Sequence, residues 1–418
     1  MARLAQHAVS CRDFAGHHPC RHRPRELAWR ALPRRPSRCR RAGEILFHQS
    51  ADAGCLSRGD ARAGSLYHRV ARTDHPAGRR ARDPRRGRIA CRHSWEADMI
   101  PIDVIESTAN ELMAKAAIEI PDDYLTGLQK AADSEDGDLS SYVLRAMLDN
   151  YVAAKEDGRA MCGDTGTPRW YVKMGNETTI EGGPIALEAA LRRATADATA
   201  NVPLRPNRVH PLWRTDHDNN VGIGAPEIEY GYEPGGEWID LITVHKGGLF
   251  GTDYRMLFPS DGIEGIKRFY LDSLVAFGKR GLACQPAIIG IGLGGAKDSC
   301  MVLGKRAACL RTVGDRNSDP RIAALEDELK ELGNSIGMGA MGFVGKHMVI
   351  DCNIEVGYCH TGGMQMSVHA FCLSSRRAVA RIFPDGRVEH RTDPDWFTPY
   401  QRRETVEWDL PAGHAKSA

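Results

Sequence analysis

The stretch Met161-Cys162-Gly163-Asp164-Thr165-Gly166-Thr167-Pro168 separates a purely helical pattern from a mixed one. It sets a thiol, a carboxylate, two hydroxyls and two glycines ahead of the apolar run Trp170-Tyr171-Val172. Glycine lets backbone approach a bound group without interference from a Cβ. Taken alone, the stretch reads as a tight turn with a buried free cysteine, because structural thiols are commonly buried. Cysteines and a histidine further along the chain give it a second meaning.

Upstream, residues 102–118 carry apolar positions at helical spacing, and Pro121-Asp122-Asp123 opens a second helix in the manner of a first turn. A third is expected over 139–155, with Tyr142, Val143, Ala146, Met147 and Tyr151 on one face. Downstream, 170–174 reads as a strand and 184–200 as a helix. The runs 227–232 and 238–246, separated by Glu233-Pro234-Gly235-Gly236, carry a hairpin signal. A helix over 261–280, a strand over 287–291 and helices over 297–310 and 320–332 follow. Strands over 347–358 and 364–371 precede a last hairpin turning at Pro384-Asp385-Gly386. Alternating helices and strands predict a mixed α/β fold, with sheet at the centre and helices flanking it.

The net charge of +2 conceals a split. Residues 1–98 hold 22 Arg, no Lys and 9 acids, a net +13, whereas the remainder holds 34 basic residues against 45 acids, a net −11. The Arg-rich block resembles a GC-rich upstream frame joined to the protein, with Met99 as the expected natural start. The alternatives are a disordered basic extension able to bind nucleic acid, or a targeting segment. Three parts are expected: the extension 1–98, a catalytic domain 99–395 and a tail 396–418. No stretch reaches the ~18 consecutive apolar residues of a membrane span. The expectation is a cytoplasmic protein engaging neither membrane nor nucleic acid.

Beyond the extension lie seven cysteines, an odd number in a chain long enough to need no staples, which suits a reducing compartment. Cys300 and Cys309 fall inside a helix pattern and Cys352 inside a strand, as core thiols do. Cys162, Cys284 and Cys372 each sit where an element meets a glycine- or proline-marked turn. They are 122 and 88 residues apart and form no C-x-x-C pair, so spacing alone announces neither zinc nor an iron–sulfur cluster. Cys359, beside His360, competes for a ligand role. Gly290-Ile291-Gly292-Leu293-Gly294-Gly295 follows a strand and opens a helix. Its glycines sit off the dinucleotide pattern, and the nearest acid, Asp315, lies in a loop. Close packing of helix on strand, or an anion nest, is the better reading there.

Five segments together resemble the iron–sulfur class I fumarases and the alpha subunits of L(+)-tartrate dehydratases, over about 102–390. They are Cys162-Gly163-Asp164-Thr165-Gly166, Leu204-Arg205, Lys246-Gly247-Gly248, Cys284-Gln285-Pro286, and His360 with Cys372 twelve residues later. The resemblance implies a 4Fe–4S cluster on Cys162, Cys284 and Cys372, with one iron left open to act as Lewis acid. It further implies that Arg205 clamps a substrate carboxylate, that Lys246, Gly247 and Gly248 border the substrate, and that Asp164 and His360 serve as acid/base groups. The substrate class is a small 2-hydroxy-dicarboxylate of the fumarate/malate or tartrate type. A separate beta subunit is implied too, in an αβ pair that dimerises. Two departures stand out: Gly163 replaces the family's amide, and Leu249 replaces its third glycine. The competing readings are a nicotinamide-dependent oxidoreductase using the 290–295 glycines and a non-catalytic iron–sulfur redox sensor.

Overall fold

The computed structural model describes residues 99–202, 204–215, 217–247, 251–279 and 284–403. The Arg-rich block 1–98, Gly248, Leu249 and residues 404–418 lie outside the described residues. Three helices come first: α1 (Ile102–Ile118), α2 (Asp122–Ser134) and α3 (Asp138–Asp157). Then follow β1 (Thr167–Gly175), α4 (Gly183–Asn201), β2 (Glu227–Glu233), β3 (Ile239–Lys246), β4 (Thr252–Leu257) and α5 (Gly262–Lys279). The last elements are β5 (Ala287–Gly294), α6 (Lys297–Leu310), α7 (Pro320–Asn334), β6 (Val349–Gly357), β7 (Met364–Phe371), β8 (Arg376–Ile382) and β9 (Val388–Arg391).

Two mixed sheets form, one in the order β2-β1-β3-β8-β9 and one in the order β4-β7-β5-β6. Period-two alternation assigns the faces. Trp170 and Val172 of β1 turn toward α1 and α4, packing with Leu112, Leu187 and Leu191. Tyr171, with Ile242 and Val244 of β3, turns the other way, toward α2, α3, Ala308 of α6 and Phe371 of β7. Ile289 and Ile291 of β5 face away from that layer and pack with Phe269 and Tyr270 of α5 and Leu329 of α7. The layer between the sheets therefore collects the ends of β1, β3, β5 and β7. Trp396, just past β9, is buried there and meets Tyr171 edge-on with ring centroids 5.4 Å apart.

The expected hairpin of β2 and β3 does not pair. β1 lies between them, parallel to β2 and antiparallel to β3. The glycine turn is used to cross the end of β1: Asn176 N–H donates to the Gly235 carbonyl at 3.0 Å and Glu177 N–H to the Gly236 carbonyl at 3.1 Å. A Cβ on Gly175 would stand 2.3 Å from the Gly236 oxygen, so only glycine admits the crossing. β4 was not foreseen. It is the edge strand of the second sheet, and its half-exposed residues carry little apolar alternation.

The glycines of β5 are packing residues. A Cβ at Gly290 would fall 2.1 Å from Ala308 N, and one at Gly292 would fall 2.1 Å from the Cys300 carbonyl, both on α6. The helix backbone occupies the room a dinucleotide would need. Cys300 and Cys309, on α6, and Cys352, on β6, are buried in that core as expected.

Candidate active site

α3 ends at Gly158 in the left-handed conformation (φ 63°), and the chain folds back beneath the helices. Met161 N–H donates to the Ala117 carbonyl at 3.1 Å, and Asn150 Nδ2 donates to the Met161 carbonyl at 2.8 Å. Met161 is buried as the anchor, which leaves Cys162, Gly163 and Asp164 on a pinned turn. At Gly166 (φ 81°) a Cβ would meet the His245 carbonyl oxygen at 2.7 Å, so the turn lies tight against the end of β3.

Cys284 precedes β5 and Cys372 follows β7. These strands are antiparallel neighbours with Ile288 opposite Phe371, so both thiols emerge at the same end of the second sheet. Leu373 N–H donates to the Cys284 carbonyl at 3.0 Å, locking the two segments together. Two tyrosines tie the helices to that end: Tyr151 Oη donates to the Leu373 carbonyl at 2.5 Å and Tyr124 Oη to the Pro286 carbonyl at 2.7 Å. Burial pushes the Cys284 thiol up to about 12, helped by Cys372 and Cys162 and opposed by Arg376. Burial likewise raises Tyr151, and Cys372, Cys162 and Cys284 all act on it. Cys162 and Cys372, from distant parts of the chain, thus both lie within electrostatic reach of Cys284 and of Tyr151. Among the described residues, no three His, Cys, Asp or Glu side chains are arranged to hold a single metal ion. A four-iron cube is different, because each of its thiolates binds its own iron.

Arg376, 1% exposed, is within electrostatic reach of Cys284 and Tyr151 as well. Its Nε donates to the His245 carbonyl at 3.1 Å, and Nη1 donates to the Asp164 carbonyl. No carboxylate pairs with it among the described residues. A buried cation without a counter-charge is costly. An anionic group held by the three sulfurs would supply that charge, so the donor set and its electrostatic surroundings fit an iron–sulfur cluster. His245 opposes Arg376 across the sheet and is fully buried, with neither ring nitrogen hydrogen-bonded among the described residues. Burial and the neighbouring guanidinium pull it down to about 3, so it is neutral at physiological pH.

The other expected site residues divide. Asp164 Oδ1 accepts from Asn207 Nδ2 at 3.0 Å and from Gly166 N–H at 3.3 Å, which orients the carboxylate beside the thiols. Arg205 N–H donates to Thr165 Oγ1 at 2.7 Å, bringing its loop to the same turn with its side chain exposed. Lys246 lies opposite Thr167 in the sheet, and Gly247 is buried next to it. Gly248 and Leu249 lie outside the described residues. Gly163 faces open space, with nothing within 4 Å of a Cβ placed there. His360 is set apart. It is exposed on the turn before β7, whereas Cys372 follows that strand. Eight strand residues at ~3.3 Å each put roughly 25 Å between them, so the chain does not bring His360 to its own thiols.

Arg376, Asn207 and the two tyrosines were not foreseen. The signal for Arg376 is faint: it follows Cys372 by four residues and opens a strand that is otherwise buried and largely apolar. Asn207 carries no signal beyond its loop.

A family model described as Fumarate hydratase (Fumerase) matches residues 106–381. The chain is 37% identical over 292 residues to a protein of Methanocaldococcus jannaschii named Putative L(+)-tartrate dehydratase subunit alpha. That match covers 68% of this chain and 99% of the relative. It is 29% identical over 280 residues to the L(+)-tartrate dehydratase subunit alpha of Escherichia coli strain K12, covering 66% of this chain and 90% of that protein.

Proposed function

The chain belongs to the iron–sulfur class I fumarate hydratase family of hydro-lyases, and from that premise we propose that it is the alpha subunit of an enzyme dehydrating a small 2-hydroxy-dicarboxylate. Tartrate is the favoured substrate, since relatives spanning nearly the same length carry that name. Cys162, Cys284 and Cys372 would hold a 4Fe–4S cluster. When bound, that cluster would supply an open iron as Lewis acid toward the substrate hydroxyl. The observation that carries this reading is the mutual electrostatic reach of the three thiols beside a buried Arg376 that meets no carboxylate among the described residues.

The chain's own groups then divide the work. Arg376 offsets the negative charge of the sulfurs and, through the Asp164 carbonyl, holds the turn that carries Cys162. Asp164, held by Asn207, would exchange a proton with substrate as the hydroxyl departs as water and the dehydrated acid forms. Arg205 extends an exposed guanidinium from the loop tied to Thr165, suited to bidentate capture of a carboxylate. Lys246 adds positive charge at the end of β3. A separate beta subunit would cover this exposed side and complete the site.

The test is to co-express the chain with a beta-type partner, purify the complex without oxygen, and assay L(+)-tartrate, malate and fumarate. Water loss or addition on one of these acids, abolished by an iron chelator, is the expected result. An iron-loaded complex inactive on all three would overturn the reading and favour an iron–sulfur sensor.

A further inference from the structure

Between β1, β3 and α6 lies a cavity of about 210 Å³, lined among others by Thr167, Arg169, Arg208, Lys246, Thr252 and Lys305. Four cations face it, and Glu227 is the one carboxylate among the described residues of its wall. Two of the cations are already paired: Arg169 with Glu229 at 2.5 Å and Arg208 with Glu227. The ammonium groups of Lys246 and Lys305 meet no carboxylate among the described residues. Burial lowers both lysines. Arg169 and Lys246 press further on Lys305 while Cys309 and Glu227 oppose them, and Cys309 and Cys372 act on Lys246 against Arg169. Lys246 is therefore within electrostatic reach of Cys372, one of the three converging thiols, while it lines the same cavity as Lys305.

Lys246 and Lys305 are half-buried, and half-buried positive charge that meets no carboxylate favours an anionic ligand. The cavity is small, and its cationic wall suits a carboxylate carried on a few carbons. Two threonine hydroxyls line the cavity, and both already have partners: Thr167 Oγ1 donates to the Lys246 carbonyl at 3.0 Å, and Thr252 Oγ1 pairs with His369 Nδ1 at 3.1 Å. Binding there would rest on the ammonium groups.

We propose that this cavity binds one carboxylate of the dicarboxylate substrate, with Lys305 as a substrate-binding residue acting beside Lys246. The proposal rests on the dehydratase reading and extends it to a residue that no sequence motif marked. Lys305 sits on α6, one turn before Cys309, and both line the cavity.

The test measures L(+)-tartrate binding by calorimetry on the iron-loaded alpha–beta complex, for wild type, Lys305→Met and Lys305→Arg, with iron counted in each. The expected result is at least a tenfold weaker Kd for Lys305→Met, partial recovery in Lys305→Arg, and equal iron in all three. Lysine acylation followed by mass spectrometry gives a second readout, in which tartrate protects Lys305 of the wild type. Equal tartrate affinity in wild type and Lys305→Met, or tartrate failing to protect Lys305, would overturn the proposal. Loss of iron from all three proteins would instead strike the cluster assignment, and the acylation readout on the metal-free chain would still decide for or against the cavity.

Discussion

The thiol centre and the seam between β5 and α6 are both rich in glycine and cysteine, yet they solve opposite problems. In the seam, Gly290 and Gly292 are filled by helix backbone, and Cys300 and Cys309 are buried in the core around them. At the thiol centre, Gly163 faces open space, and Cys162 and Cys284 stay half-buried. The glycine face of the seam is closed by helix backbone, whereas at the centre Arg376 meets only carbonyls among the described residues. Residue type alone does not separate a packing site from a binding site. What separates them is whether the surrounding space and charge are already satisfied.

The largest contrast should come from adding side chains. Gly290→Val forces carbon atoms into the backbone of α6 and should cost about 3 kcal/mol or more, reading out as lost soluble protein or a large fall in Tm. Gly163→Ala should change stability by less than about 0.5 kcal/mol, as open surface positions do. Similar losses from both would erase the distinction.

Removing the lone cation comes next. Arg376→Met should keep the fold by circular dichroism but release iron to a chelator roughly tenfold faster, with Arg376→Lys in between, because the sulfurs lose their counter-charge. Unchanged iron release would show that the guanidinium serves only the backbone. A milder effect is expected from Asn207→Ala. It frees the Asp164 carboxylate and should lower kcat about tenfold at unchanged iron content, less than the roughly 10²–10⁴-fold a general acid or base itself contributes.

The smallest effect lies away from both regions. Burial pushes Glu135 up, but the N–H groups of Lys346, Gly137 and His347 and the Ser140 hydroxyl hold it down at about 2, below its ordinary 4.5. A depressed carboxyl stabilises the fold above its unfolded value, and that contribution drains away as pH falls from about 4.5 through 2. Discounted for solvent, it amounts to about 1–2 kcal/mol. Glu135→Gln should therefore flatten the acid limb of a Tm-versus-pH curve while leaving the thiol centre intact.

Helical periodicity made the helices legible, and the bounds of α1, α6 and β7 match the expected ones. Pairing was harder to read. A polar glycine turn between two apolar runs suits a hairpin, but nothing local tells β2 and β3 that β1 will lie between them. In the site, the three cysteines were marked by a resemblance and not by their own spacing. His360 stood in the same motif as Cys372, yet a strand in extended conformation carries the two to opposite ends of the sheet. Arg376 and Lys305 escaped notice because each opens a pair of cations, Arg376-Arg377 and Lys305-Arg306, that reads as surface until the burial and the missing partner are seen.

The most direct test counts iron after anaerobic reconstitution in the wild type and in Cys162→Ser, Cys284→Ser, Cys372→Ser and Cys300→Ser. The account predicts about four irons per chain in the wild type and in Cys300→Ser, as a cube on three thiolates requires, and severe loss in the other three. Equal iron in all four variants, or loss confined to Cys300→Ser, would contradict it.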